Sequence, residues 1–455
     1  MDDNKTVMEN SFSPVYDLDD KPPLKEAIPL GLQHVFAMFV GNITVPIIVA
    51  GVLGMTVGET TFFLQCALFA AGLATFMQIN RIGPIGSRLP IIMGTSFAII
   101  APAIAIGTQY GLPAVLGASL VAGVVQAVAG YFLKYIRKYF APVVTGTVLL
   151  AIGLSLMPTG IDYAAGGVGA ADYGAVTNWF LAGLVLLTII ICNSFLGGFI
   201  RMAAILIGLI VGYVVAIPMG KVDFSAIAEA GWFSLPIPFR YGMTFEWSSI
   251  ALMSIVLLAV MVETIGNVTG ITVGGAGREP TEEELSGGVI ADGLATSMAS
   301  LFNALPNTCY SQNVGVVSFT GVMSRWVVAI AGIFLIIAGL FPKVGAVIAV
   351  MPSSVLGGAA IVMFAMIATA GISLLSQTGL DRRSLFIIAV SLGLGFGVGL
   401  RPDSLQQFPE SINLIFGGSG IVLTALTALI LNVVLPQEGQ EEKAAKEKIG
   451  DVVAE

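Results

Sequence analysis

The stretch TCYSQNVGVVSFTG, Thr308 to Gly321, interrupts a chain that is otherwise largely apolar. It sets Ser311, Gln312 and Asn313 side by side, with lipid-like runs on either flank. A membrane-crossing helix has no easy place for three consecutive polar side chains, because an unsatisfied polar group in hydrocarbon costs roughly several kcal/mol. The run therefore reads as a break in a crossing, with its backbone buried in protein and its side chains beside a cavity.

The rest of the chain supports a membrane setting. Of its 455 residues, 56% are hydrophobic and 11% are charged, and the mean hydropathy is +0.93. A soluble domain carries about twice that charged fraction. The net charge is −8, with the acidic residues crowded into the tails and a few loops. The first 26 residues are polar and lack the apolar core of a secretory signal, so no cleaved leader is expected. Cys66, Cys192 and Cys309 lie in apolar segments without metal or redox spacing and read as small core residues.

Apolar runs between polar or Gly/Pro breaks give fourteen expected segments. The first seven lie near 27–52, 61–80, 89–107, 111–135, 140–158, 178–196 and 199–218. The second seven lie near 247–267, 286–304, 306–322, 326–342, 346–374, 383–400 and 412–435. With this count, sixteen of the twenty Lys and Arg fall on the side of both termini. Only Lys221, Arg240, Lys343 and Arg401 fall opposite, which predicts cytoplasmic termini in a cell membrane. The charged tails are expected to be solvated and mobile.

The two sevens echo each other. Gly41-Asn42-Ile43-Thr44 in segment one returns as Gly266-Asn267-Val268-Thr269 in segment eight. Segment three (RLPIIMGTSFA) is interrupted at the same ordinal position as the opening stretch in segment ten. An odd number of spans per half makes the repeats inverted, the plan of many secondary transporters. The runs Leu89–Met93 and Thr308–Gln312 are expected as short paired strands, with half-helices following from about Thr95 and Asn313. A half-helix N-terminus offers free N–H groups to acceptor atoms of a ligand. The expected fold is thus an all-α polytopic membrane protein of fourteen segments in two inverted repeats.

Within the expected spans the carboxylates are Glu263 and Asp292, and an ionisable group at that depth is a functional candidate. Glu263 and Asn267 are four apart and share a helix face. Asp292, among Gly287, Gly288 and Gly293, suits a packing role as well as a direct one. The single histidine, His34, reads as a hydrogen-bonded core residue ahead of a ligand, and no metal centre is expected. The glycine-rich stretches 392–400 and 274–288 lack a phosphate-binding lysine, so no nucleotide or other cofactor is expected and an ion gradient must drive any uphill transport.

Gln312-Asn313-Val314-Gly315 followed by Thr320-Gly321 resembles the signature of the nucleobase–ascorbate transporters, the nucleobase:cation symporters of type 2. Gln33-His34, Ser96-Phe97-Ala98, Glu263 and Asp292-Gly293 extend the likeness, which spans essentially all of 27–435. The resemblance implies a core domain of 27–135 and 247–342 and a gate domain of 140–218 and 346–435, between tails 1–26 and 436–455. It implies that Glu263 and Gln312 hydrogen-bond a nucleobase edge, with its ring near Phe97 and backbone groups of Phe97 and Ser311 completing the site. Asn313 and Thr320 would hold the broken segment, with Asn267, His34 and Asp292 in support. Glutamine at the first signature position is similar to xanthine and urate carriers. A primary amide both donates and accepts, which suits the alternating N–H and C=O groups of a purine dione.

One departure stands out. Asn267 occupies a position where xanthine and urate members often carry Asp, and it cannot titrate. Glu263 is left as the proton-coupling candidate. The expected function is proton-coupled uptake of xanthine or uric acid, with sodium as the alternative ion. The expected partners are the bilayer and a second copy of the chain, and no nucleic acid. Small residues on segments five and twelve, among them Gly146, Ser353, Ser354, Gly357 and Gly358, are expected to ease sliding between domains. The rival readings are a uracil carrier of the same family, an anion exchanger or channel of the same plan, and an intramembrane enzyme.

Overall fold

A computed structural model of the chain describes residues 14–136, 141–377, 380–417 and 420–436. The outermost tail residues fall outside these ranges, as do Arg137 and Lys138. The principal elements of the first half are α1 (Leu24–Val52), α2 (Val57–Ile79), β1 (Met93–Thr95), α3 (Ile100–Tyr110), α4 (Leu112–Tyr131), α5 (Pro142–Ala164), α6 (Val176–Phe195) and α7 (Ala204–Ala216). Those of the second half are α8 (Trp247–Ala276), α9 (Glu282–Leu301), β2 (Asn307–Cys309), α10 (Ser311–Thr320), α11 (Arg325–Leu340), α12 (Ser353–Gln377), α13 (Arg382–Leu400) and α14 (Gly420–Val434). Among the described residues, eight helices are long and apolar enough to cross a membrane, or nine if α11 and the short helix Pro342–Ala349 form one bent span.

Local chemistry explains the boundaries. Thr56 and Glu59 close a capping box at the start of α2, and Thr281 and Glu284 close an equivalent one at the start of α9. Two helices at the same place in the two halves thus begin with the same Thr-x-x-Glu device. Segment twelve, expected from 346, is interrupted: Pro342–Ala349 is a separate helix bent 79° from α11, and α12 starts only at Ser353. Pro342 and Pro352 each remove an N–H from the helical ladder there. Segment eight runs on to Ala276, where Gly277 closes it in the left-handed region at φ +63°.

Packing falls into two groups. In one, α4 packs on α8 and α9, and α2 and α1 pack on α11. In the other, α5 packs on α12, α13 and α14, and α12 packs on α6 and α7. A Cβ on Gly357 would lie 2.0 Å from the backbone nitrogen of Ala164, and one on Gly146 would lie 2.6 Å from the Leu375 side chain. These glycines fasten α12 to α5 within one group. Of the residues expected to ease sliding between domains, Gly146 and Gly357 lie in close contact with helices of their own packing group.

The chain before α1 is tied down, against the expectation of a mobile tail. Val15 N donates to Gly321 O at 2.8 Å, Met323 N to Tyr16 O at 2.8 Å and Arg325 N to Leu18 O at 3.1 Å. Asp19 accepts from Arg325 Nε at 2.7 Å and from Arg88 Nη2 at 2.6 Å. A charged segment looks solvated in sequence, but here its backbone pairs with the residues that follow α10. The hydrogen bond from Arg325 holds the Asp19 carboxyl below the ordinary aspartate range. A depressed folded value means that its contribution is present at neutral pH and is lost as pH falls through that range. Asp19→Asn is accordingly expected to lower the melting temperature slightly at pH 7, with the difference from wild type closing below about pH 4. A constant difference across a pH series would remove the ion pair as its cause.

Candidate functional site

The site is organised by the crossing of β1 and β2, which pair antiparallel with Met93 opposite Cys309, Gly94 opposite Thr308 and Thr95 opposite Asn307. All six residues are buried. The strands sit two to four residues later, in segment three, than the expected Leu89–Met93, and in segment ten they end at Cys309. Extended backbone in an apolar core survives only if its polar groups find partners. Helix side chains supply them: Met93 N donates to Thr75 Oγ1 at 3.0 Å and Thr95 N to Asn42 Oδ1 at 2.8 Å. In the other half Thr296 Oγ1 donates to Asn307 O at 3.1 Å and Asn267 Nδ2 to Cys309 O at 2.7 Å. Asn42 and Asn267, the two asparagines of the internal echo, thus clamp the two strands. Gly94 is required at the crossing, since a Cβ there would come within 2.5 Å of Met38 and 2.9 Å of Asn42 Oδ1.

Asn313 points away from the cavity into the protein. Its Nδ2 donates to Pro90 O at 2.7 Å, which orients the amide and turns Oδ1 to His34 Nδ1 at 2.6 Å. An amide oxygen only accepts, so His34 carries its proton on Nδ1. The histidine is a buried core residue joining α1 to α10, as its apolar surroundings suggested. Thr320 lies at the far end of α10, about 12 Å along the axis from Gln312, and its hydroxyl donates to Val316 O. Gly321 then closes that helix at φ +67°. The last two signature residues therefore terminate α10.

Ser311 and Gln312 open onto a cavity of about 740 Å³ between α10, α12 and α6, which Asn193 and Arg201 also line. Phe97 and Glu263 do not line it. The Phe97 ring lies 6.4 Å from that of Tyr310 and 5.9 Å, edge to face, from Phe364 of α12. Glu263 is half-buried one turn before Asn267, and among the described residues its carboxylate has no hydrogen-bond or ion-pair partner. A Cβ on Gly266 or on Gly315 would meet no atom within 4 Å, so open space adjoins both the Glu263 turn and the Gln312 turn.

Asp292 is differently placed. Its Oδ2 accepts from Thr264 Oγ1 at 2.5 Å and from Gln126 Nε2 at 2.9 Å, which ties α9 to α8 and α4. Gln126 is not singled out by the sequence because it sits alone in an apolar run, in no shared motif, although an amide in so apolar a segment is itself a signal. Nor does the sequence single out Thr75 and Thr296, or the Tyr310 hydroxyl that donates to Thr95 O at 2.7 Å. Among the described residues, no three His, Cys, Asp or Glu converge in a way that could hold a metal ion.

This geometry can be set beside known proteins. The chain matches the family model Xan_ur_permease, a permease family, over residues 25–403. It belongs to the nucleobase–ascorbate transporter family. Among relatives of this transporter, a xanthine permease of Bacillus subtilis is 39% identical over 432 residues, covering 93% of this chain and 96% of that one. The uric acid permease PucK of the same organism is 42% identical over 408 residues, covering 89% and 94%. The solved transmembrane domain of a cyanobacterium bicarbonate transporter, BicA, aligns at TM-score 0.57 and 15% identity, covering 91% of this chain and 99% of that one. That likeness concerns the fold alone. As a member of its family the transporter is a permease and not an enzyme, and its apolar helices make it a multi-pass membrane protein.

Proposed function

We propose that this permease takes up xanthine or uric acid together with a proton, by alternating access across the cell membrane. Its relatives named for xanthine and uric acid support the substrate class. The observation that carries the mechanism is Glu263, a carboxylate without a partner beside a broken-helix crossing. Such a group is free to take a purine N–H when ionised and to hold a proton when the site is empty. Gln312, on the cavity wall, offers an amide to the adjacent N–H and C=O of a dione, and Phe97 a ring face. Asn267, Asn313, His34, Asp292 and Thr320 position the segments that carry these groups.

In this reading α1 to α14 are fourteen crossings in two inverted halves, with the two strands counted into segments three and ten. The packing supports it, because exchanging each helix for the one seven later returns the principal helix pairs. The pair α1–α11 becomes α8–α4, α2–α11 becomes α9–α4, α5–α13 becomes α12–α6, and α5–α12 and β1–β2 return to themselves. The two packing groups are then the core domain (α1–α4, α8–α11) and the gate domain (α5–α7, α12–α14). With both termini cytoplasmic, the cavity from Gln312 to Arg201 opens inward. A homodimer joined through the gate domains belongs to the same reading, and α6 and α13, only 33% and 22% buried, leave surface for lipid or a second copy.

The test is uptake of labelled xanthine into cells lacking their own purine carriers, with excess unlabelled urate or uracil, with and without a protonophore. Protonophore-sensitive uptake blocked by urate is expected. No xanthine uptake despite verified membrane expression would overturn the reading. In the same assay Gln312→Glu is expected to raise the KM for xanthine about tenfold or more, since it replaces a donor by a charged acceptor. An unchanged KM would remove Gln312 from the site.

A further inference from the structure

We infer that the cavity holds a second, transient subsite for an oxidised purine at its Arg201 end, through which substrate passes after leaving Gln312. The inference rests on the proposed purine-carrier reading and adds a specificity-determining residue to it. The cavity is lined by Ser311, Gln312, Gly315 and Phe319 of α10 and by residues of α12 such as Met366 and Ile367. Among the described residues, Arg201, on the short helix Gly198–Met202, is the one charged side chain lining it. Asn193, at the end of α6, and Phe36 of α1 line it as well.

Most of the Lys and Arg expected on the same side as Arg201 are paired, although Lys25 and Arg382, like Arg201, have no hydrogen bond or ion pair among the described residues. Arg81 pairs with Glu283, Arg88 and Arg325 with Asp19, Lys134 with Glu282 and Arg278 with Glu284. Arg201 has no carboxylate or carbonyl partner among the described residues. A cation that merely anchors a helix end snorkels toward lipid headgroups. This one, though exposed, also borders the cavity that Ser311 and Gln312 line.

The chemistry matches the proposed cargo. A guanidinium presents a planar fork of donors and favours adjacent oxygens or a delocalised anion. An oxidised purine carries neighbouring carbonyls, and urate is an anion at neutral pH. Asn193 supplies a donor and an acceptor, and the Phe36 ring, held edge to face 5.8 Å from Phe199, supplies a stacking surface. The subsite thus selects for oxidised, ionisable purines at the exit, whereas Gln312 reads the same edge at mid-membrane.

The test uses purified protein in liposomes, with urate and xanthine uptake kinetics measured separately from each face at slightly acidic pH, where xanthine is neutral. Arg201→Ala is expected to raise the KM for urate from the cytoplasmic face about fivefold or more, the scale of one partly screened charge-assisted hydrogen bond. The KM from the outer face stays within about twofold. Neutral xanthine moves less than urate, and Arg201→Lys recovers part of the loss. Equal changes at both faces would mean a merely structural role and overturn the inference, as would no change at either. Liposomes of phosphatidylcholine alone and with phosphatidylglycerol separate the two sources of an anion, and an effect confined to the anionic lipid would assign Arg201 to headgroups. If the alanine variant fails to fold, Arg201→Gln is read by the same criteria. Wild-type protein that transports no purine in these liposomes sinks the purine reading itself, whereas normal wild-type transport with an indifferent Arg201 sinks only the subsite.

Discussion

Glu263→Gln is expected to abolish concentrative purine uptake while leaving the protein inserted and folded. The two side chains have the same size, and the carboxylate has no partner among the described residues to lose. Stability should therefore change little, in contrast to a buried pair broken on one side. Function should change greatly. The amide cannot exchange a proton, so binding no longer draws on the gradient. It also offers one acceptor where the carboxylate offers two, and a hydrogen bond to a charged group contributes about 1.5–3 kcal/mol. The combined loss corresponds to roughly 100-fold or more in uptake rate. Accumulation should fall to the level of simple equilibration, with any remaining counterflow insensitive to a protonophore. Wild-type accumulation by the variant would take Glu263 out of the coupling step. Asp292 would then be the next carboxylate to test, since its Oδ1 is buried without a partner even though Oδ2 is held by Thr264 and Gln126.

Much of this arrangement is legible in the residues, and its limits have physical causes. The run of polar side chains at 311–313 points to a change of backbone, and the structure places the start of α10 there, after the strand β2, because hydrocarbon forbids unpaired polar groups. The Gly-Asn-aliphatic-Thr echo marks the repeat. Its meaning is invisible in sequence, since Asn42 accepts from β1 while Asn267 donates to β2, and only the crossing brings these roles together. The position of Asn267 reads in sequence as a missing proton carrier, whereas in the structure its amide supplies a donor that an ionised aspartate would lack. Strand register in segment three is not legible, because Leu89 to Thr95 is uniformly compatible with extended backbone. The partners that choose the paired residues, Asn42 and Thr75, lie on other helices. The ordered chain at 15–20 escapes sequence reading for a related reason, as its anchor is backbone pairing with residues roughly three hundred positions away.

Asn313→Ala is the second change expected to act strongly, and it acts on architecture where Glu263→Gln acts on chemistry. Asn313 is 1% exposed and holds two groups that have nowhere else to turn, the Nδ1–H of His34 and the carbonyl of Pro90. Alanine leaves both buried without a partner, at about 1–3 kcal/mol each. It also frees α10 from α1 and from the segment entering β1, so that Gln312, the preceding residue, loses its fixed distance to the rest of the site. A lowered melting temperature in detergent and at least a roughly tenfold loss of uptake rate are expected together. The discriminating measurement is a double-mutant cycle with His34→Ala. If the bond between the two side chains is the main loss, the double variant should be little worse than either single one, with a coupling of about 1–3 kcal/mol. Strict additivity would mean that His34 and Asn313 act separately, and the role of the signature asparagine would then rest on Pro90 alone. Asn313→Asp separates these contacts further. It keeps an acceptor for His34 but turns a carboxylate toward the Pro90 carbonyl. That variant should lose stability chiefly through the strand entry, and should recover once the introduced carboxyl is protonated at low pH.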